Sequence, residues 1–237
     1  MEVGPGEGAL TRPLAARAGR VLAIEIDPRR AEALRRDLSS EPAVTLIAGD
    51  ALEKPFAEWL AAAGWTGPAI LVANLPYNVA TPIVTRAIEE PRAISRAVVT
   101  VQREVARRFA AAPGDEDYGF LSVRAAAFAS ARILFDLPPG AFRPRPKVHS
   151  SVLELIPRDP PLDPATRKRA LEIASLGFRS RRKTLGNALA SLGPRETWEA
   201  ALRELGRGAK TRAEELSLGE FMEIARRAPA ARSGSGR

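Results

Sequence analysis

The sequence has no cysteine and a single histidine, His149. Those absences exclude a disulfide framework, a thiolate zinc site and a cysteine nucleophile, and they leave no imidazole cluster for a metal or a catalytic triad. There is no charged-then-apolar leader and no run of 18 or more apolar residues. Neither secretion nor a membrane span is supported, and a soluble, cytoplasmic chain that uses no metal is expected. With 237 residues it can bury a real hydrophobic core in one full-sized domain and a smaller second one.

Charge is abundant but unevenly placed. Residues 1–142 hold 16 Lys and Arg against 17 Asp and Glu, a net of −1, whereas residues 143–237 hold 20 against 11, a net of +9. The whole formal excess of +8 therefore lies in the last two fifths. A nearly neutral body with a basic C-terminal region is the electrostatic footprint of a polyanion-binding surface, and an Arg-rich composition with solvated helix faces gives the same totals.

Apolar strand-like runs alternate with helix-length segments over the first 140 residues, the pattern of a doubly wound α/β sheet. Strands are predicted at Val21 to Ile26, Val44 to Ala48, Ala69 to Ala73, Ile94 to Val101, Ala131 to Phe135 and Ser151 to Ile156. The last two lie so close in sequence that an antiparallel hairpin at the sheet edge is expected. The segment "PRDPPLDP", Pro157 to Pro164, carries four prolines in eight residues and marks a domain boundary. Beyond it, four helices at Ala165 to Phe178, Lys183 to Leu192, Arg195 to Leu205 and Leu218 to Arg227, the last capped by Ser217, predict a small all-α domain. The expected division is thus 1–160, 161–227 and a disordered tail over 228–237.

The chain opens on Glu2-Val3-Gly4-Pro5-Gly6-Glu7-Gly8 before a helical stretch from near Ala9. Clustered glycines between strand and helix let backbone approach a ligand closely, and alone they fit a dinucleotide as well as a plain tight turn. Three acids discriminate. Glu25, about 20 residues on, can accept both hydroxyls of a ribose. Asp50, in Gly49-Asp50-Ala51, can accept from an adenine amine. Glu2 can hold the ammonium of a methionine moiety and would repel a pyrophosphate. Together they favour S-adenosylmethionine over a dinucleotide.

After the fourth strand comes Asn74-Leu75-Pro76-Tyr77. An adenine amine is a poor nucleophile because its lone pair is delocalised into the ring. Two acceptors on its hydrogens, the Asn74 side-chain oxygen and the Leu75 carbonyl, would favour a pyramidal nitrogen able to attack a methyl carbon. Pro76 stiffens the turn, and Tyr77 offers a face on which an extruded or unpaired base can stack. An ordinary Asn-Pro turn beside a core tyrosine is the alternative.

The chain resembles the ribosomal RNA adenine N6,N6-dimethyltransferase family. The likeness runs through "EVGPGEGALT", "GDAL", "NLPYNVATPI", "QREVARR", "YGFLSV", "PPGAFRPRPKVHSSV", "FRSRRKTLGNAL" and "RAEELSLGEF", nearly all of residues 2–223. It implies a Rossmann-like class I methyltransferase sheet with a small α-helical C-terminal domain. It further implies dimethylation of adenosines near the 3′ end of small-subunit ribosomal RNA during ribosome biogenesis, by direct transfer from S-adenosylmethionine. By that resemblance Glu2, Gly4, Gly6, Glu25, Asp50 and Asn74 match cofactor positions, Asn74 through Tyr77 match the target-adenine motif, and Phe142 matches a second aromatic that sandwiches the base.

Arg143, Arg145 and Lys147 are candidates to hold phosphates at the pocket rim, and Arg179, Arg181, Arg182 and Lys183 form a second basic cluster. Such contacts position RNA without reading bases. His149 reads as a loop or surface residue. The expected partner is small-subunit RNA or a pre-small-subunit particle, bound by a monomer without any membrane. Family members normally carry a few tens of residues before the glycine motif, with a short Gln/Asn-Phe-Leu element, that have no counterpart ahead of Glu2. The expectation is either a misassigned start or a shortened chain. Two rival functions stay open: a large-subunit RNA adenine methyltransferase of the antibiotic-resistance type, and an assembly factor that keeps the fold without catalysis.

Overall fold

The computed structural model describes residues 1–158 and 163–227. Its first half alternates strand and helix: β1 (Glu2–Val3), α1 (Thr11–Ala15), β2 (Val21–Glu25), α2 (Pro28–Asp37), β3 (Val44–Ala48), α3 (Phe56–Ala62), β4 (Ala69–Asn74), α4 (Ala80–Glu89), β5 (Ile94–Gln102) and α5 (Arg103–Ala110). Then follow α6 (Phe120–Phe128), β6 (Ala129–Leu137), β7 (Ser150–Pro157) and the helices α7 (Pro164–Arg179), α8 (Leu185–Ala188), α9 (Arg195–Glu204) and α10 (Leu218–Arg227).

Strands β1, β2 and β3 pair in parallel in that order, and β4, β5, β7 and β6 form a second ladder. The Met1 amine donates to the Ile70 carbonyl at 2.8 Å and the Val72 N–H to the Met1 carbonyl at 2.9 Å, which sews β1 to β4. The strands therefore follow one another as β3-β2-β1-β4-β5-β7-β6. All five residues of β2 are buried, as a strand covered on both faces requires. β7 runs antiparallel to both β5 and β6, so the expected hairpin forms with β6 at the edge, where a bulge between Ile133 and Phe135 turns Leu134 out of the ladder. Crossover helices bring the C-terminal ends of β1 through β5 to one side of the sheet, the usual position of an α/β ligand site.

Helix boundaries follow local chemistry. Asp27 caps α2 by accepting from the Arg29 and Arg30 amides, with Pro28 at the first helical position. Ser217 and Glu220 exchange bonds at the start of α10: the Glu220 N–H donates to the Ser217 hydroxyl and the Ser217 N–H to the Glu220 carboxylate. The expected helix over Lys183 to Leu192 shrinks to the four residues of α8, because Gly186 lies inside it and Gly193-Pro194 follows closely. No helix among the described residues is long and apolar enough to cross a membrane.

Contacts group the chain into two compact units, one of Met1–Ala110 with Phe128–Asp159, the other of Ala111–Ala127 with the residues from 160 onward. The segment Ala111–Ala127, which the sequence reading keeps in the first domain, packs with the C-terminal helices. The second unit has its own core, in which Tyr118 and Val123 join Ile173, Leu185, Trp198, Leu202 and Phe221, all nearly or fully buried. The Tyr118 phenol donates to the Leu216 carbonyl at 2.7 Å, and burial pushes it up to about 12. The tail over 228–237 and the middle four residues of the expected proline-rich boundary, 159–162, lie outside the described residues.

Candidate active site

The glycine turn connects β1 to the rest of the site. Gly6 has φ +57°, a left-handed conformation that a side chain would strain, and its N–H donates to Glu25 Oε2 at 3.2 Å. Glu25 Oε1 accepts from the Asp27 N–H at 3.1 Å. The Glu25 carboxylate, 4% exposed at the end of β2, is thus fixed between two backbone donors. The helix that follows starts at Thr11 rather than near Ala9 and has only five residues, so the turn itself, not a long helix, shapes this end of the site.

Glu2 opens β1 with 1% exposure. Its Oε2 and the Thr11 Oγ1 are buried without a hydrogen-bond partner. Burial pushes the Glu2 carboxyl up from an ordinary 4.5 to about 6, a rise that the neighbouring Thr11 hydroxyl, close by but not in hydrogen-bond geometry, only tempers. A buried carboxylate oxygen with no donor is the place for a cationic group to bind.

Next to Glu25, the Gly49 N–H donates to the Glu25 carbonyl at 2.8 Å and carries Asp50 to the same side. Gly49 has no room for a side chain, since a Cβ there would fall 2.5 Å from Trp59 Cη2. Asp50 is exposed, and its Oδ1 accepts from the Leu52 N–H at 2.8 Å, which sets the carboxylate's direction. Directly after Glu25 stands Ile26, 67% exposed, which lies just past β2 rather than inside the strand that the sequence predicts as Val21 to Ile26. An exposed aliphatic side chain next to a buried acid offers an apolar face.

Asn74 ends β4, exposed, and the Leu75 N–H donates to the Thr100 carbonyl at 3.1 Å, which continues the ladder one residue beyond the strand. Pro76 packs on the glycine turn, its Cδ 3.6 Å from where a Cβ on Gly4 would lie. Tyr77 is half-buried and hydrogen-bonded through its phenol to the Ser150 hydroxyl at 2.8 Å.

A cleft of about 630 Å³ is lined by Glu2, Gly4, Gly6, Glu7, Asn74 and Arg143, together with residues of α2. The volume is within the range of pockets that take a drug-sized ligand. The structure so brings together four expected cofactor positions and one residue expected at an RNA rim. Glu25 reaches the cleft through Gly6, whereas Asp50, Tyr77 and Phe142 are not among the residues that line it. Phe142 is half-buried in extended conformation, and among the described residues no ring contact links it to Tyr77. Arg145, Lys147 and His149 are exposed, and the His149 carbonyl accepts from the Arg103 N–H at 3.0 Å. In the second unit Arg179, Arg181, Arg182 and Lys183 are all exposed, with Arg181 Nε 3.5 Å from Glu214.

Comparison with known proteins extends this picture over the whole chain. The family model described as "Ribosomal RNA adenine dimethylase" matches residues 1–229. A protein of Mesorhizobium japonicum named ribosomal RNA small subunit methyltransferase A is 43% identical over 230 residues, 94% of this chain and 81% of that protein. Its namesake from Synechococcus sp. strain JA-3-3Ab is 38% identical over 228 residues, covering 94% and 79%. Among solved structures, the 23S rRNA methyltransferase ErmE superimposes with a TM-score of 0.72 at 30% identity, over 96% of this chain and 89% of that one. A dimethyladenosine transferase from Plasmodium falciparum gives 0.74 at 22% identity, over 94% and 86%, and shares the fold.

Proposed function

The chain belongs to the ribosomal RNA adenine dimethylase family, and from that premise we propose that it transfers methyl groups from S-adenosylmethionine to the N6 amine of adenosines in small-subunit ribosomal RNA. The observation that carries this reading is the meeting of Asn74 with Glu2 and the glycine turn around one cleft. An amine-orienting amide and a cation-seeking carboxylate have a common use there if a cationic methyl donor lies between them.

The residues present fit that donor. The unpartnered Glu2 Oε2 suits its ammonium, Glu25 its ribose hydroxyls, Asp50 its adenine amine and Ile26 its ring face. Gly4 and Gly6 keep the turn free of side chains where the ligand passes. When bound, S-adenosylmethionine supplies a sulfonium-activated methyl group.

The chain's own contribution is to orient and stabilise. The Asn74 side-chain oxygen and the Leu75 carbonyl accept the two N–H groups of the target amine and turn its lone pair out of conjugation. As the new N–C bond forms at the expense of the donor's C–S bond, the nitrogen gains positive charge, both acceptors are then worth more than in the ground state, and the surplus N–H proton leaves to water. Tyr77 and Phe142 hold the base by its faces. Arg145 and Lys147 in the first unit, and the exposed cluster from Arg179 to Lys183 in the second, hold RNA phosphates. This chemistry needs neither thiol nor covalent intermediate, in keeping with a chain that has no cysteine.

Incubation with undermethylated small subunits and labelled S-adenosylmethionine, followed by mapping of the label, tests the function. Dimethyladenosine in small-subunit RNA is the expected product. Label confined to large-subunit RNA would instead align the chain with the ErmE-type activity, and no label on either would leave an assembly factor.

A further inference from the structure

Ser150 opens β7 with its backbone in register with Gln102 of β5 on one side and Leu137 of β6 on the other. It is fully buried. A buried hydroxyl is costly unless hydrogen-bonded, and the partner of this one is the Tyr77 phenol, 2.8 Å away and 73 positions distant in sequence. Tyr77 is only half-buried. Its near end follows Pro76 and its far end is tied to an interior strand, so rotation of the ring about its side-chain torsions breaks a bond.

The anchor is itself braced. Ser151 points to the opposite face, as strand geometry dictates, and its hydroxyl meets Asp136 Oδ1 at 2.5 Å. Arg103 lies 4.0 Å from the other oxygen of Asp136, and its own N–H donates to the His149 carbonyl. The start of β7 is therefore held by side chains from one face and by Tyr77 from the other. The "HSS" segment gains a use that its sequence does not announce.

We propose that Ser150 is a positioning residue, which holds the Tyr77 ring in the plane on which the target adenine stacks. The inference rests on Tyr77 being the stacking platform of the proposed activity. Ser150 touches neither cofactor nor base, and its whole effect passes through the phenol.

The test uses the full chain with Ser150→Ala, Ser150→Thr, Tyr77→Phe, Tyr77→Ala and the double variant Ser150→Ala/Tyr77→Phe. Three quantities are read: the S-adenosylmethionine Kd by calorimetry, kcat and KM on undermethylated small subunits, and the fluorescence quenching of 2-aminopurine placed at the labelled adenosine of an RNA fragment. Ser150→Ala and Tyr77→Phe should each lower kcat/KM by about 3- to 10-fold, the loss of one neutral hydrogen bond. The double variant should lose no more than either alone. Cofactor Kd should hold in both, the melting temperature should hold in Ser150→Ala and fall in Tyr77→Phe, which strands the buried hydroxyl, quenching should weaken, and Ser150→Thr, which keeps a hydroxyl, should recover part of the rate. Multiplying losses in the double variant, or a wild-type rate for Ser150→Ala beside an impaired Tyr77→Ala, would overturn the positioning role alone. Wild-type behaviour of Tyr77→Ala would overturn the stacking platform and the inference with it.

Discussion

The Gly6 N–H and the Glu25 carboxylate, 19 residues apart, meet at 3.2 Å and join the glycine turn to the end of β2. One side chain so sets the turn, and under the proposed function it also holds the ribose hydroxyls. Glu25→Gln keeps the shape but must aim an amide at one of two N–H donors. Hydrogen bonds to a charged group are worth roughly 1.5 to 3 kcal/mol, so the S-adenosylmethionine Kd should rise about 10- to 100-fold. Calorimetry checks this, and an unchanged Kd removes Glu25 from the cofactor site.

Asn74→Ala separates binding from chemistry. Under the proposed role the Asn74 oxygen acts on an amine that gains charge only in the transition state, so methyl transfer should fall about 100-fold or more. Cofactor binding should change far less. A single-turnover rate near wild type would show that the tetrapeptide is an ordinary turn.

With Glu2 as the proposed holder of the ammonium, cofactor affinity should depend on pH. Its folded carboxyl titrates near 6 instead of 4.5, so the folded chain holds the proton more tightly than the unfolded chain does. Without ligand, stability therefore falls as pH rises from 4.5 through about 6. A bound ammonium needs the ionised form, and affinity should weaken as pH drops below about 6, approaching tenfold per unit. Glu2→Gln tests this: the pH profile of Kd should flatten in that variant, and an unaltered profile would remove Glu2 from the ammonium site.

The cluster Arg179, Arg181, Arg182 and Lys183 should set salt dependence. Each phosphate that is no longer neutralised lowers the slope of log affinity against log salt by about 0.7 to 0.9. Arg181, already near Glu214, should contribute less than Arg182. RNA binding of the single alanine variants and of the quadruple variant, measured from low to moderate salt beside a thermal melt, checks both statements. A well-folded quadruple variant with the wild-type slope would leave the phosphates to Arg145 and Lys147.

How much of this was legible in the sequence depends on range. Most strands and helices announced by local periodicity appear within a residue or two, with β3 at Val44–Ala48 as expected and Ser217 capping α10, whereas the helix expected over Lys183 to Leu192 keeps only four residues. α6 gave no such signal, since apolar residues surround "FLSVRAAAF" on every side and conceal the helical period. The grouping of Ala111–Ala127 with the C-terminal helices was equally hidden, as it depends on segments about a hundred residues apart. At the site, residue type and order pointed to Glu2, Glu25, Asp50 and Asn74. What they could not disclose was who touches whom. The Tyr77–Ser150 bond, the presence of Arg143 in the cleft and the pressure of Trp59 on Gly49 all arise from chain segments that meet only in three dimensions.

The second unit is assembled from two separated stretches of chain, and this gives its formation a timetable. Tyr118 and Val123 leave the ribosome well before Trp198 and Phe221, the residues with which they share a core. At roughly 5 to 20 residues per second, the interval before Phe221 appears is on the order of 5 to 20 s. During it the neighbours in α7, α8 and α9 appear one after another, and the shared core stays incomplete until α10 is made. A fragment begun at Pro164 meets the same deficit permanently: it carries the basic cluster and four helices, but its Leu216 carbonyl lacks the Tyr118 donor and its Phe178 ring lacks the edge-on partner at 5.7 Å. The C-terminal unit is therefore no transferable cassette, and an exchange between relatives must carry both stretches together.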